Sequence, residues 1–483
     1  NVLRWTSSPN PPFGGYGPSF VNPRTGQILG ADIMLEWIYI TKRIQQGELF
    51  EHTSLFLDEE NPMDEHYCSA SALMQSNNLF AHSAVDAMEL SQASKETLIR
   101  ESLRRLVLHE VGHTLGLNHN FKGSNLLTYE EILNKDTTYE KGLCSSVMEY
   151  PSINFSLEAE NQGLYYDTIP GPYDHWAIRF AYSQVDDEGL NAILDESTKH
   201  EHGFANDADD MRGTGKGMDP DAMIYDLTSE PVLYAIDRIK LVNKIFPTIL
   251  EKYRKDGASH QEILNSYYTL TGQYATSLKI ISRQIGGVRV NRSMVGQDTE
   301  DKPFTPVSLQ DQKQAITALS TYAFAPNAFE TAADLYPYLQ QQRRGFNTPY
   351  SGEDPKIHER VLSIQKLVLG QLLNRNVLNR MVNSSLYGNE YSLGAYFKDL
   401  KNAMFKQDKN SDVNSFRMNL QVEFVNRLIR LSKDTYSSSQ IRTQVYSILN
   451  STRKEMQNSQ SFGASTNAHR AYIKYLIEKH LDK

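Results

Sequence analysis

The stretch His109-Glu110-Val111-Gly112-His113-Thr114-Leu115-Gly116-Leu117-Asn118-His119 combines residue types that can hold a metal and move a proton. His109 and His113 stand four apart, so on a helix their imidazoles share one face. Two nitrogens so placed can bind one zinc at about 2.0–2.1 Å. Glu110 lies one step round from the first histidine, near such a metal but off it, where it can take a proton from water. Gly116 accepts the left-handed conformation that ends a helix. A chain turning back at that point presents His119 as a third ligand. Three histidines leave a fourth coordination position open, the pattern of a catalytic rather than a structural zinc. A lone histidine on a helix is usually a packing or surface residue; five positions in register are not accounted for that way.

These side chains need a helix under them. Leu98, Leu103, Leu106, Val107 and Leu108 recur at helical spacing, which predicts a helix over Lys95–Leu117 with Ser94 as its N-cap. Glu96/Arg100 and Glu101/Arg105 form i,i+4 pairs of the favourable order. Upstream, Asn1–Thr6 reads as a strand, so the chain is expected to be cut from a longer precursor. Pro23-Arg24-Thr25-Gly26 marks a hairpin turn. Ile28–Trp37 reads as a mostly buried strand, with helix as the rival, and Leu79–Ala84 as a second short strand. Lys199–Pro220 is polar and reads as a long loop or connection. Beyond it, amphipathic helices are predicted over Leu233–Arg254, His260–Gln284, Leu309–Tyr322, Ile357–Val382, Leu393–Lys406, Val413–Ser432, Gln440–Met456 and Ala468–Leu481. Val288–Asn291 is a short strand candidate.

Composition removes other classes. The 483 residues are 40% hydrophobic and 22% charged, which excludes a disordered chain. No apolar run is long enough to span a bilayer. Net charge is −9, so the basic face of a nucleic-acid binder is not expected. Two cysteines exclude a disulfide scaffold and a thiolate zinc finger. Cys68 and Cys144 could pair or remain two buried thiols. His200 and His202 offer a minor second metal candidate. The acids from Asp207 to Asp221 contain no EF-hand pattern, so calcium is not predicted. No oligomeric state is legible, and no signal peptide can be read in this stretch of chain.

Downstream of the histidines comes Ser145-Ser146-Val147-Met148-Glu149-Tyr150-Pro151. With the long histidine motif, this resembles the metzincin clan of zinc peptidases and the S-x-M-x-Y Met-turn of astacins and serralysins. The resemblance implies that Met148 forms an apolar floor under the three imidazoles and that Tyr150 stands near the zinc, donating a hydrogen bond to the oxyanion. Ala31-Asp32-Ile33-Met34 is similar to a sheet strand of matrix metalloproteases, and Leu79-Phe80-Ala81-His82-Ser83 to their substrate-pairing edge strand. Gly171-Pro172-Tyr173-Asp174 resembles the start of the last core helix of serralysin-like enzymes, with Asp174 as N-cap. More broadly, the chain resembles large bacterial zinc metalloproteases with a helical C-terminal region. The strong motifs cover about residues 105–182. Serralysin glycine-rich nonapeptides are missing, so a calcium-bound roll is not expected.

The expected fold is an α/β metzincin core, with a mixed sheet, catalytic helix and Met-turn, followed by a mainly α-helical region. The expected division is 1–190 zinc peptidase, 191–230 polar connection and 231–483 helical domain. One catalytic Zn2+ held by His109, His113 and His119 would serve peptide hydrolysis, with Glu110 as general base, Tyr150 assisting, and Met148 and Gly116 in support. Substrate would be a protein or peptide running along the sheet edge, its side chains met by a pocket shaped by Pro151–Phe155. An extracytoplasmic location follows from the resemblance. The rival is a catalytically silent binding or adhesion module on the same fold.

Overall fold

β4 (Ile28–Glu36) is the strand on which the N-terminal sheet is built. In this computed structural model, which describes residues 2–7, 15–37, 70–209, 213–297, 302–341, 354–457 and 463–481, β1 (Val2–Thr6) runs parallel to β4 and pairs Val2 with Asp32. β2 (Gly15–Tyr16) and β3 (Ser19–Val21) pair antiparallel with β4, so the sheet is mixed. The hairpin at Pro23–Gly26 is closed by Gly26 N–H to Asn22 O at 2.8 Å, with Gly26 at φ +72°. Ala31, Ile33 and Leu35 alternate as the buried side of β4, the period expected of a half-buried strand.

Helix α1 (Ala70–Ala87) contains Leu79–Ser83, which is therefore neither a strand nor the sheet edge. The buried positions Met74, Asn77, Phe80, Ala81, Ala84 and Val85 follow a helical period. A short apolar run such as Leu79-Phe80-Ala81 fits strand and helix alike until its neighbours are counted. Helix α2 (Gln92–Thr114) is capped by Ser91, whose hydroxyl accepts the Ser94 N–H at 3.3 Å; Ser94 is inside the helix. Both β4 and β2 pack against α2. Helices α3 (Pro172–Tyr182), α4 (Asp187–Asp195), α5 (Pro231–Ile245) and α6 (Gln261–Arg283) follow. Asp174 lies inside α3, and Gly171 holds the cap position. The helix read over Leu233–Arg254 breaks at Phe246–Thr248, where Pro247 lacks the N–H needed to continue.

The chain packs as two compact units. One comprises residues 1–212, 221–274 and 291–303; the other comprises 213–220, 275–290 and 304–483. In the second, β5 (Val288–Val290) and β6 (Phe304–Pro306) pair antiparallel. Its helices are α7 (Leu309–Leu319), α8 (Ile357–Leu372), α9 (Arg375–Ser384), α10 (Leu393–Phe405), α11 (Ser415–Lys433), α12 (Ser439–Met456) and α13 (Ala464–Leu481). The predicted Ile357–Val382 helix is two, because the Asn374 side chain caps a fresh start at α9. Among the described residues no helix is long and apolar enough to cross a membrane.

Candidate metal centre

His109 and His113 project from one face of α2, with ring centroids 4.8 Å apart. The helix then stops: Leu117 N–H reaches back to Gly112 O at 3.1 Å, and Gly116 takes φ +89°. That turn brings His119 to 4.9 Å from His113 and 5.5 Å from His109, ring to ring. Ligand nitrogens of the three histidines lie within 4.8 Å of one another, and they form the one group of three such residues found among the described residues.

The hydrogen bonds fix which nitrogen faces inward. His109 Nδ1 lies 2.8 Å from Val147 O, and His113 Nδ1 lies 3.2 Å from Leu117 O. A carbonyl can only accept, so both rings carry their proton on Nδ1 and present Nε2 as the lone-pair nitrogen. Burial, then the neighbouring histidines, holds His109 well below the usual imidazole range. Burial first, then His119, lowers His113 to about 4. Neutral imidazole is the ligand form, so this donor set fits a zinc ion.

Glu110 is completely buried. Gly15 and Gly17 roof it: a Cβ on Gly15 would lie 2.7 Å from Glu110 Oε1, and one on Gly17 would lie 2.5 Å from Glu110 O. Neither carboxylate oxygen makes a well-formed hydrogen bond among the described residues. Burial therefore pushes its carboxyl up to about 8, against a smaller opposing pull from the Gly17 backbone.

The turn at Ser145–Pro151 is anchored from two sides. Asp174 accepts Ser146 Oγ–H at 2.7 Å, Val147 N–H at 2.8 Å and Gly171 N–H at 2.8 Å. Arg105 donates to Val147 O, and to Glu149 O at 2.8 Å. Met148 is fully buried beneath the histidine helix, where a Cβ on Gly112 would lie 2.2 Å from its sulfur. Gly112 is thus a requirement of this packing that sequence reading passed over, though a glycine between two histidines four apart in a helix was the signal. Tyr150 Oη lies 2.8 Å from His119 Nε2. The Glu101/Arg105 pair does not form as a surface contact. Both are buried, and Glu101 instead accepts Tyr165 N–H at 2.6 Å. A small hollow beside His109 is lined by Met74, Arg105, Tyr150, Pro151 and Tyr166 among others.

The polar connection contributes most of what sequence reading missed. Phe121 N–H donates to Ala205 O at 2.7 Å, Met223 N–H to Phe121 O at 3.1 Å and Tyr225 N–H to Tyr150 O at 2.8 Å. Ser152 N–H donates to Asp226 O at 3.1 Å and Thr228 N–H to Ser124 O at 2.9 Å. Residues 203–207 and 223–228 therefore form a strap along the third histidine and the Met-turn. Asp207 Oδ2 lies 2.6 Å from His119 Nδ1. Glu149 is buried against the strap; burial, then the Asp226 charge, drives its carboxyl well above the usual range. Among the other acids of the segment, Asp209 pairs with Arg292, and Asp219 accepts Val290 N–H at 3.0 Å. His202 stacks on Trp176 at 5.2 Å, its Nδ1 2.7 Å from Glu196 O, and it joins no ligand cluster. Cys144 is buried, while Cys68 lies outside the described residues.

No curated protein and no solved structure matches the chain. A family model described as Met-zincin matches residues 91–412, a span that opens at the cap of α2 and takes in all three histidines and the Met-turn. That match covers more than half of the chain, which therefore belongs to the Met-zincin family of metzincin-type zinc metalloproteases.

Proposed function

We propose that the protein is a zinc-dependent endopeptidase. The observation that carries this reading is the convergence of three imidazoles, two of them with Nδ1 committed to backbone carbonyls, beside a buried glutamate. His109, His113 and His119 would hold the zinc ion, which would supply a positive charge able to acidify water and polarise a carbonyl. Glu110 accepts the proton of the attacking water and returns it to the leaving amine, giving a free acid and amine from one peptide bond. Tyr150 Oη stands where a phenol can donate to the developing oxyanion. Met148 fixes the histidine helix from below. The peptide lies extended along β2, an edge strand that packs against α2. An extracytoplasmic location is proposed on the metzincin resemblance alone.

The roof of Gly15 and Gly17 over Glu110 favours the second reading, a zinc-bound but silent binding module. Cleavage of an unstructured protein such as casein, measured with zinc content, separates the two. Cleavage that stops with chelator, and falls about 10²–10⁴-fold in Glu110→Gln at unchanged zinc content, is expected. Full zinc occupancy without cleavage by the wild type would assign the silent module.

A further inference from the structure

His119 is held differently from its two partners. His109 and His113 ride on α2, and their Nδ1 atoms meet main-chain carbonyls. His119 lies beyond the helix end, and its Nδ1 meets a carboxylate 88 residues away, Asp207, at 2.6 Å. The turn bearing Asp207 is built onto the residues that follow His119. Asn120 Oδ1 accepts Ala205 N–H at 3.3 Å, and Asn120 Nδ2 donates to Gly203 O at 3.0 Å. Phe121 N–H donates to Ala205 O at 2.7 Å. Asp209 accepts Asn206 N–H at 2.9 Å and pairs with Arg292, closing the turn from its other side.

Resting on the zinc-binding reading above, we propose that Asp207 is a positioning residue for the metal ligand His119. Its carboxylate keeps the His119 proton on Nδ1, fixes the ring plane, and turns Nε2 toward His109 and His113. A carboxylate in that position also strengthens the ligand nitrogen as an electron donor, which a carbonyl does less well. The segment 203–209 is then part of the metal site rather than a connection.

The test is zinc affinity of the full chain by chelator competition, with the melting temperature of the metal-free protein measured in parallel. Asp207→Ala should weaken zinc binding about 10–100-fold. Asp207→Asn, which keeps an acceptor oxygen without the charge, should fall between. The metal-free melting temperature should shift by no more than about 2–4 °C, because the pair is partly exposed. Wild-type zinc affinity in Asp207→Ala, with a large loss in His119→Ala, would overturn this proposal alone. Wild-type affinity in His119→Ala would instead overturn the assignment of the third ligand. Equal losses of affinity and metal-free melting temperature in Asp207→Ala would assign a structural role and also overturn the proposal.

Discussion

Arg105 and Arg417 are both almost fully buried, and both tie backbone carbonyls together, one in each compact unit. Arg417 donates to Phe324 O, Ala403 O and Met404 O, and its Nε lies 2.8 Å from Asp408. Asp408 also accepts Gln421 at 2.7 Å, and Gln421 meets His469 at 2.8 Å. Every member of that chain has a partner. Arg105 holds Val147 O and Glu149 O, but its nearest carboxylate, on Asp167, is 3.8 Å away. The node beside the histidines thus gives its guanidinium to loop carbonyls, whereas the node in the helical unit closes on itself. Burial also lowers both His109 and His469. A buried histidine or arginine is therefore no sign of chemistry by itself; what sets the first unit apart is that three imidazoles converge there.

The contrast can be broken most sharply at Asp408. Asp408→Ala strands the Arg417 guanidinium in the interior and should cost about 3–5 kcal/mol, read by denaturant unfolding. Zinc content should be unaffected; parallel loss of zinc would show that the two nodes are not independent. Gly112→Ala probes the other side. Its Cβ meets the Met148 sulfur, and overpacking of that kind costs about 1–3 kcal/mol. Here zinc affinity should fall together with stability, and unchanged affinity would remove Met148 from the support of the histidines.

The smallest effect is electrostatic. Glu110 in the metal-free protein keeps its proton up to about 8, whereas the unfolded carboxyl releases it near 4.5. Its contribution is fully present below pH 4.5 and drains as pH rises through 8. His109 and His113 act oppositely: their lowered values cost stability as pH falls below 6.5. Between pH 6.5 and 8, the melting temperature of metal-free wild type should fall relative to Glu110→Gln. A constant difference between the two across that window would mean that Glu110 is not shielded as the roof implies.

The histidine cluster, the helix stop at Gly116 and the turn at Ser145–Pro151 were legible because each depends on neighbours a few residues away. The resemblance to metzincins likewise rested on those local spacings. The extent of α2 was read nearly to its ends, yet its buried face was not. Glu101 and Arg105 looked like a helical pair, but α2 buries a polar stripe whose partners are the loops at 147–149 and 165–166. Asp207 and Asp226 left no periodic signal. The strap that holds them bonds to other irregular segments, such as 120–124 and 150–152, so neither a 2.0 nor a 3.6 repeat marks it. Its Tyr225 and Thr228 take φ +71° and +73°, conformations that composition gives no reason to expect there.

The close seat of the Met148 sulfur against Gly112 bears on oxidative damage. The sulfur is sealed from solvent and has helix backbone where an added oxygen would have to go. Conversion to the sulfoxide would make it polar and bulkier, and here that requires the turn and the helix to part first. Peroxide should therefore reach exposed methionines such as Met294 well before this one. Once Met148 did react, the turn could no longer sit closed against the helix that carries His109 and His113.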